Sequence, residues 1–473
     1  MSETITAIST PPGEGGIGIV RISGDESENI MRRMMKNHPD FIEPRHAYFG
    51  KVVVDSSKEN SEVIDEALFL FMKGPHSYTG EDMLEIQAHG SNVSLRKILN
   101  AVLACGSENV RMAEPGEFTK LAFLNGKMDL SQAEAVIDII KAKNDISFEI
   151  AQSQKDGRLS LFIRSIREKL LDILAQMAVH IDFPDEDEEN TGTENYDLTV
   201  NELSSLEKDI EKLIGTASIG KIAKEGIRAA IIGKPNAGKS SLMNAVLGEG
   251  RVIVTDVPGT TRDTVEETAS LGGMPVVLVD TAGLRDTDDK VEKIGINRSM
   301  EAAASADIVI LVTDGSEKPD EEDEKLISTV KDIDPEHVIL VINKEDLGNH
   351  YEREIESIVR RYISNYTVII TSLIGNAAVD AAVRISDTVG EILKYKNINI
   401  RESNIISSQR HLDLLYNALN NINECIEMIK NGEPVEVAEL SAHYAYEELG
   451  RIIGEEIEDE VLDTVFSKFC LGK

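Results

Sequence analysis

The apolar residues of this chain change their spacing three times, and each change predicts a change of architecture. Up to about residue 119, runs such as Gly18-Ile19-Val20-Arg21-Ile22 and Ala67-Leu68-Phe69-Leu70-Phe71 alternate with glycine-bearing turns, which predicts strands in an α+β segment. From Leu130 to about Gly215 the spacing becomes helical, through Ile137, Ile140, Leu170, Ile173 and Leu174. Ser131-Gln132-Ala133-Glu134 reads as a capping box at its start. The acidic run Asp182-Phe183-Pro184-Asp185-Glu186-Asp187-Glu188-Glu189 reads as a solvated loop between helices. From about 222 to 390, strands expected at 227–232, 275–279, 308–312, 338–342 and 368–370 alternate with helical stretches. That alternation predicts a doubly wound, mainly parallel α/β sheet. Stretches 407–430 and 435–469 are helical again.

Helices on both sides of an α/β segment suggest an insertion, with the flanks forming one discontinuous domain. Two separate helical domains would carry the same pattern. The expected divisions are 1–119, a helical domain in two parts at 120–221 and 391–473, and an α/β domain at 222–390. The length of 473 residues suits about three domains of roughly 150 residues.

Charge narrows the function. With 84 acidic and 49 basic side chains the formal net charge is −35. Nucleic acid cannot be bound through a general basic surface here, so any such contact needs a local patch or a partner. The three cysteines, Cys105, Cys425 and Cys470, are odd in number and far apart, and define no disulfide framework or zinc site. Cys105 and Cys425 have apolar neighbours and read as core residues. The N-terminus lacks a basic stretch followed by an apolar one, and apolar runs such as 307–312 are strand-length. A soluble cytoplasmic protein is expected.

The strongest chemical signal is Gly233-Lys234-Pro235-Asn236-Ala237-Gly238-Lys239-Ser240, which fits G-x-x-x-x-G-K-[ST] between an apolar strand and a helix-like stretch. Backbone N–H groups in such a loop approach phosphates, and the helix N-terminus favours their charge. Lys239 would reach the β- and γ-phosphates, and the Ser240 hydroxyl would ligate Mg²⁺. Asn343-Lys344-Glu345-Asp346, after the strand at 338–342, resembles the guanine-reading N-K-x-D element of GTPases. The Asp346 carboxylate can accept from guanine N1–H and its 2-amino group, a donor pair that adenine lacks. Asp280-Thr281-Ala282-Gly283 resembles the D-x-x-G element, with Asp280 beside Mg²⁺ and the Gly283 N–H near the γ-phosphate. Gly259-Thr260-Thr261-Arg262-Asp263 resembles the first switch, where Thr261 would complete the Mg²⁺ shell. The fifth element departs from the usual Ser-Ala-Lys or Ser-Ala-Leu, reading Thr371-Ser372-Leu373. Leu284 stands where Ras-type GTPases carry a water-orienting glutamine, so either hydrolysis is very slow or another group and another positive charge are supplied. Asn236 and the paired threonines are features of GTPases that admit potassium near the arginine-finger position.

The flanks extend the resemblance to the whole chain. Thr10-Pro11-Pro12-Gly13-Glu14-Gly15-Gly16-Ile17-Gly18-Ile19-Val20-Arg21-Ile22-Ser23-Gly24 closely resembles the N-terminus of the MnmE (TrmE) family of tRNA-modification GTPases. So do Ser77-Tyr78-Thr79-Gly80-Glu81-Asp82-Met83-Leu84-Glu85, Pro115-Gly116-Glu117-Phe118-Thr119 and Leu124-Asn125-Gly126-Lys127-Met128-Asp129-Leu130-Ser131-Gln132-Ala133-Glu134. Phe469-Cys470-Leu471-Gly472-Lys473 resembles that family's terminal C-x-G-K.

The resemblance implies an N-terminal domain that dimerises and binds a tetrahydrofolate one-carbon donor in the 5-formyl or 5,10-methylene form. It also implies a discontinuous helical domain holding an inserted Ras-like P-loop GTPase, and a homodimer. It further implies a flavin- and NADH-dependent partner, the FAD protein MnmG (GidA), which would hold most of the tRNA. Together they would build a (carboxymethyl)aminomethyl group on C5 of the wobble uridine of certain tRNAs. Arg21, Glu85, Lys127 and Lys473 align with the folate positions. A carboxylate such as Glu85 suits a pterin's amino-pyrimidine edge, and lysines suit a glutamate tail.

The GTP set implied comprises Asn236, Ala237, Gly238, Lys239, Ser240 and Ser241, then Thr255, Asp256, Val257, Pro258, Gly259, Thr260 and Thr261. Asp280, Thr281, Ala282, Gly283, Asn343, Lys344, Asp346, Thr371, Ser372 and Leu373 complete it. Potassium would be held by Asn236, Thr260 and backbone oxygens at Thr255 and Val257. Glu292 would help position hydrolytic water, with Lys239 and the thiol of Cys470 as the other catalytic candidates. Two rivals remain open. An Era- or Der-type ribosome-assembly GTPase shares the GTPase elements, but only one P-loop is present and residues 390–473 carry 8 basic against 16 acidic side chains. A nucleotide-gated scaffold shares every GTPase residue and is distinguished by whether Glu85 and Lys127 serve modification separately from hydrolysis.

Overall fold

The computed structural model describes residues 3–58, 60–105, 109–182, 192–250, 266–272, 274–280, 306–333, 335, 337–348, 350–392, 404–455 and 457–473. The chain forms two compact units. One comprises Met1–Ile137, Gln154–Leu203 and Asn420–Lys473; the other comprises Asp138–Ser153 and Ser204–Leu419.

In the first unit, β1 (Thr4–Ile8), β2 (Gly15–Ser23), α1 (Ser27–Met34), β3 (Ala47–Val53), β4 (Val63–Met72), β5 (Met83–Gly90), α2 (Asn92–Cys105) and β6 (Val110–Met112) build a sheet of order β3-β4-β5-β2-β1-β6. Only the β1–β6 pair is parallel. Val20, Ile22, Phe69, Phe71, Leu84 and Ile86 point to one face, where Ile30, Met31 and Met34 of α1 and Ile98 and Val102 of α2 cover them. This is the period-2 alternation of a sheet with one wet side. α3 (Glu117–Leu124) closes the end of the sheet through Phe118, which packs on Ile5, Ala7 and Met83.

Helices α4 (Leu130–Lys141), α5 (Asp145–Lys155), α6 (Arg158–Asp182), α7 (Gly192–Ile214) and α8 (Ala217–Glu225) follow. The start of α4 corrects the expected capping box. Asp129, not Ser131, is the cap: its Oδ1 accepts from Gln132 N at 3.1 Å while Gln132 Oε1 accepts from Asp129 N at 3.0 Å. The reciprocal pattern is the same three-residue spacing set two positions earlier, with Asp and Gln in the Ser/Thr and Glu places. Ser131 instead sits inside the helix, buried, bonded to Asp129 and Ser160.

The second unit contains β7 (Ile227–Gly233), α9 (Lys239–Gly250), β8 (Glu266–Leu271), β9 (Met274–Asp280), β10 (Ile308–Asp314), α10 (Glu321–Ile333), β11 (His337–Asn343), α11 (Glu352–Tyr362), β12 (Tyr366–Ile370) and α12 (Asn376–Ile392). Strand order is β12-β11-β10-β7-β9-β8, parallel throughout except for the β8–β9 hairpin. Each central strand serves two cores. Ile308, Ile310 and Val312 join Ile231, Val341, Leu242 and Ile385 on one face. Val309 and Leu311 join Ile232, Leu340, Ile327 and Val359 on the other. Burial on both faces explains the unbroken apolar runs of β10 and β11.

The chain ends in α13 (Gln409–Asn431), α14 (Val435–Ile453) and α15 (Asp459–Phe466). The expected continuous helix at 435–469 is broken: Gly454, at φ 89°, ends α14 in a left-handed cap. Within the first unit α14 lies along α6, with Ala438, Ala442 and Ala445 buried on the one helix and Ile163, Ile166, Leu170 and Ile173 buried on the other. Arg167 fastens the pair. Its Nε donates to the Tyr446 carbonyl at 3.2 Å, its guanidinium lies 4.0 Å from the Tyr446 ring centroid, and it is ion-paired with Glu455.

Removing the displaced cap has a defined cost. Asp129→Ala should lower stability by about 1 kcal/mol, read as a lower thermal midpoint by circular dichroism.

Candidate functional site

The strands of the parallel sheet deliver their chemistry at the same carboxyl edge, as open α/β sheets do. β7 ends at Gly233 and the loop to α9 holds two left-handed residues, Asn236 at φ 62° and Gly238 at φ 111°. Gly238 is required: a Cβ there would stand 2.2 Å from Asn343 Nδ2. Lys239 begins α9 and its Nζ donates to the carbonyls of Gly233 at 2.8 Å and Lys234 at 2.7 Å. The ammonium is thereby tethered across the loop. Ser240 and Ser241 follow in the first turn of α9.

Asn343, the last residue of β11, is buried and works in both directions. Its Nδ2 donates to the Ala237 carbonyl at 2.7 Å and its Oδ1 accepts from Leu373 N at 2.8 Å. One amide therefore ties the P-loop to the loop 371–373. That loop also reaches the acidic residue of N-K-x-D, since Ser372 Oγ donates to Asp346 Oδ1. The departure from Ser-Ala-Lys thus brings a hydroxyl that orients the exposed Asp346 carboxylate. Lys344, left-handed at φ 67°, is ion-paired with Asp314 at the end of β10. Burial opposes the Asp314 charge, but hydrogen bonds from Lys344 and Ser316 outweigh it and hold the carboxyl below its usual range. Asp314 was not singled out in the sequence, although an acidic residue at the carboxyl end of a buried strand is a usable signal.

Asp280 closes β9 on the same edge of the sheet. Residues 255–261, 281–283 and Glu292, expected to supply the switches, the potassium shell and the water-positioning carboxylate, lie outside the described residues, as does most of the acidic run, 183–189. Among the described residues no group of three His, Cys, Asp or Glu side chains is placed to hold a metal ion.

A second cluster forms in the first unit. Arg21 on β2 and Glu85 on β5 stand directly opposite one another in the antiparallel register. Glu85 Oε1 accepts from Arg21 Nε at 3.1 Å and from Nη2 at 2.9 Å. The third arm of the guanidinium, Nη1, donates to the Gly472 carbonyl at 3.1 Å. Gly472, at φ 84°, has no room for a side chain, since a Cβ would meet the Ile8 carbonyl at 2.7 Å. Lys473 follows, partly buried; burial pushes its ammonium down, Arg21 adds to that and Glu85 opposes it. The structure therefore brings Lys473, next to the bonded Gly472, into the neighbourhood of the Arg21–Glu85 pair.

Lys127 is exposed and donates to the Pro75 carbonyl at 2.8 Å, beside Gly80. Two residues quoted only as motif letters also border Arg21: the rings of Tyr78 and Phe118 lie 5.8 and 5.7 Å from its Cζ. Cys470 is exposed, with its carbonyl accepting from Gly116 N at 3.5 Å. Cys105 and Cys425 are buried as expected, and burial pushes the Cys425 thiol up to about 12.

The TrmE N-terminus model, described as that of a GTP-binding protein, matches residues 4–127, and the MnmE helical-domain model matches 130–470. The chain is 43% identical over 477 residues to the tRNA modification GTPase MnmE of Clostridioides difficile, covering 100% of both. It belongs to the MnmE family. Its similarity to the MnmE proteins of Alkaliphilus oremlandii, 40% over 100% of both chains, and Listeria innocua, 41% over 100% of this chain and 99% of the other, has the same extent. As an MnmE-family protein it is a GTP-binding GTPase of tRNA modification, which sets aside the ribosome-assembly alternative. Among the described residues no helix is long and apolar enough to cross a membrane.

The two-way role of Asn343 makes a test. Asn343→Ala leaves the Ala237 carbonyl and the Leu373 N–H without that partner, so stability should fall by about 1–3 kcal/mol. GTP affinity, measured by titration with a fluorescent analogue, should fall with it.

Proposed function

We propose that this GTPase acts with the FAD-dependent MnmG to add a (carboxymethyl)aminomethyl group to C5 of the wobble uridine of certain tRNAs. The observation that carries this reading is the Arg21–Glu85–Lys473 cluster, assembled from distant stretches of a chain that matches MnmE proteins from end to end. Arg21 is ion-paired with Glu85 and Lys473 lies within reach of their charges, a cationic surrounding that suits an anion such as a folate glutamate tail. Glu85 Oε2, bonded at 3.3 Å to Gln87 Nε2, is the acceptor that suits an amino-pyrimidine edge. Arg21, Glu85, Lys127 and Lys473 would hold the folate, which supplies a one-carbon unit when bound. Tyr78 would wall the site, with the buried Phe118 behind the Arg21 guanidinium, and Cys470 is the candidate nucleophile.

In the other unit, the P-loop would cradle GTP, with Lys239 on the β- and γ-phosphates and Asn343, Lys344 and Asp346 on guanine. Ser240, Thr261 and Asp280 are hard oxygen donors of the kind Mg²⁺ takes. Potassium at Asn236 and Thr260, with backbone oxygens at 255 and 257, would supply the positive charge that Leu284 leaves unanswered, and Glu292 would position water. The domain divisions at 119, 221 and 390, the homodimer, the cytoplasmic location and a tRNA held mainly by MnmG belong to the same reading.

Hydrolysis should be at least about tenfold faster in K⁺ than in Na⁺, and Asn236→Ala should remove the difference; equal rates in both salts would refute the potassium site. Nucleoside analysis of tRNA from cells lacking the protein should show wobble uridines without the C5 group, and a normal profile would sink the modification chemistry.

A further inference from the structure

The P-loop contains a second lysine to which the motif assigns no chemistry. Lys234 follows the first glycine, and its Nζ lies 2.8 Å from Asp323 Oδ2 and is also bonded to Asp320 Oδ1. Those carboxylates are already fixed. Asp320 N donates to Asp323 Oδ2 at 3.0 Å, and Asp320 Oδ1 accepts from Glu322 N at 2.9 Å and Asp323 N at 3.1 Å. They form the reciprocal cap of α10, which packs on the sheet through Ile327 and Val330. The Lys234 side chain is therefore anchored to a rigid helix end, while its carbonyl accepts from Lys239 Nζ at 2.7 Å and from Ala237 N at 3.3 Å. One residue connects a framework helix to the ammonium of the P-loop. The side chain is 25% exposed. Burial works against its charge, and the two aspartates outweigh burial and raise its pKa above the ordinary lysine value.

We propose that Lys234 is a positioning residue of the GTPase site: its ion pairs with Asp320 and Asp323 fix the carbonyl that orients Lys239 Nζ toward the nucleotide phosphates. The proposal rests on the reading of Lys239 as the phosphate-binding lysine.

The test measures GDP and GTP affinity of the full chain by titration with fluorescent analogues, with circular dichroism melts as the check on folding. Lys234→Met should weaken both nucleotides about tenfold, equivalent to about 1.4 kcal/mol. Lys234→Arg should hold affinity within about threefold of the parent, because a guanidinium can span the same two carboxylates. Asn caps helices as well as Asp, so Asp320→Asn with Asp323→Asn should keep α10 while weakening the clasp. That pair should reproduce the loss, and adding Lys234→Met to it should cost little more. Additive losses, or unchanged affinity in Lys234→Met, would overturn the proposal. So would tighter binding in the Asp320→Asn/Asp323→Asn chain, which would mean that a released Lys234 reaches phosphate itself. A Lys239→Ala chain that binds GDP normally would overturn the phosphate-lysine reading and this proposal together, whereas the other failures leave that reading standing.

Discussion

The second unit depends on one constraint: β10 and β11 are buried on both faces, so their ends are the only places where polar chemistry can emerge. Apolar side chains alternate between two cores and fix the register of β7, β10 and β11 against one another. That register aligns Val312 with Gly233 and Asp314 with Asn343. Gly233, Asp314 and Asn343 are thereby delivered to one edge by packing alone. A register slip of one residue would exchange the cores and scatter the site.

At that edge the polar groups are arranged so that few stand without a partner. Asn343 is satisfied in both directions by backbone, Asp314 by Lys344 and Ser316, and Asp346 by Ser372. Apart from the local Asp314–Ser316 bond, each of these joins two different loops, so the loops at that edge are braced against one another as well as against the sheet. The other unit uses a different device. There the cross-strand pair Arg21–Glu85 is formed by sheet register, and the guanidinium's remaining arm captures a carbonyl from the far end of the chain.

Strong periodicity made the parallel sheet legible. The expected 308–312 became Ile308–Asp314, and 338–342 became His337–Asn343. The antiparallel edge strand β8, Glu-Glu-Thr-Ala-Ser-Leu, was not anticipated, because an edge strand needs no apolar run to hold its place. The cap of α4 was placed two residues late because Ser131-x-x-Glu134 and Asp129-x-x-Gln132 fit the same rule, and only the actual hydrogen bonds choose between them. Among site residues, Lys239, Asn343 and Asp346 were readable from fixed spacing. The Lys234–Asp320 pair was not, since its partners are 86 positions apart and no local pattern records that distance. Net charge was the least informative guide to the Arg21 cluster. A chain of −35 still ion-pairs Arg21 with Glu85 and brings the last residues of the chain to that pair, because burial and register act on individual side chains.

The Arg21–Gly472 hydrogen bond closes a loop of 451 positions. Closing so long a span by chain diffusion is unfavourable until intervening structure has shortened it, although the penalty grows only logarithmically with length. Contacts of this sequence separation are slow to form. The sheet pair Arg21–Glu85, only 64 positions apart, can form first and wait with an unfilled guanidinium arm. The final geometry of that cluster is then a kinetic end point of folding, reached when the tail docks, and it should be among the first features lost when the tail frays.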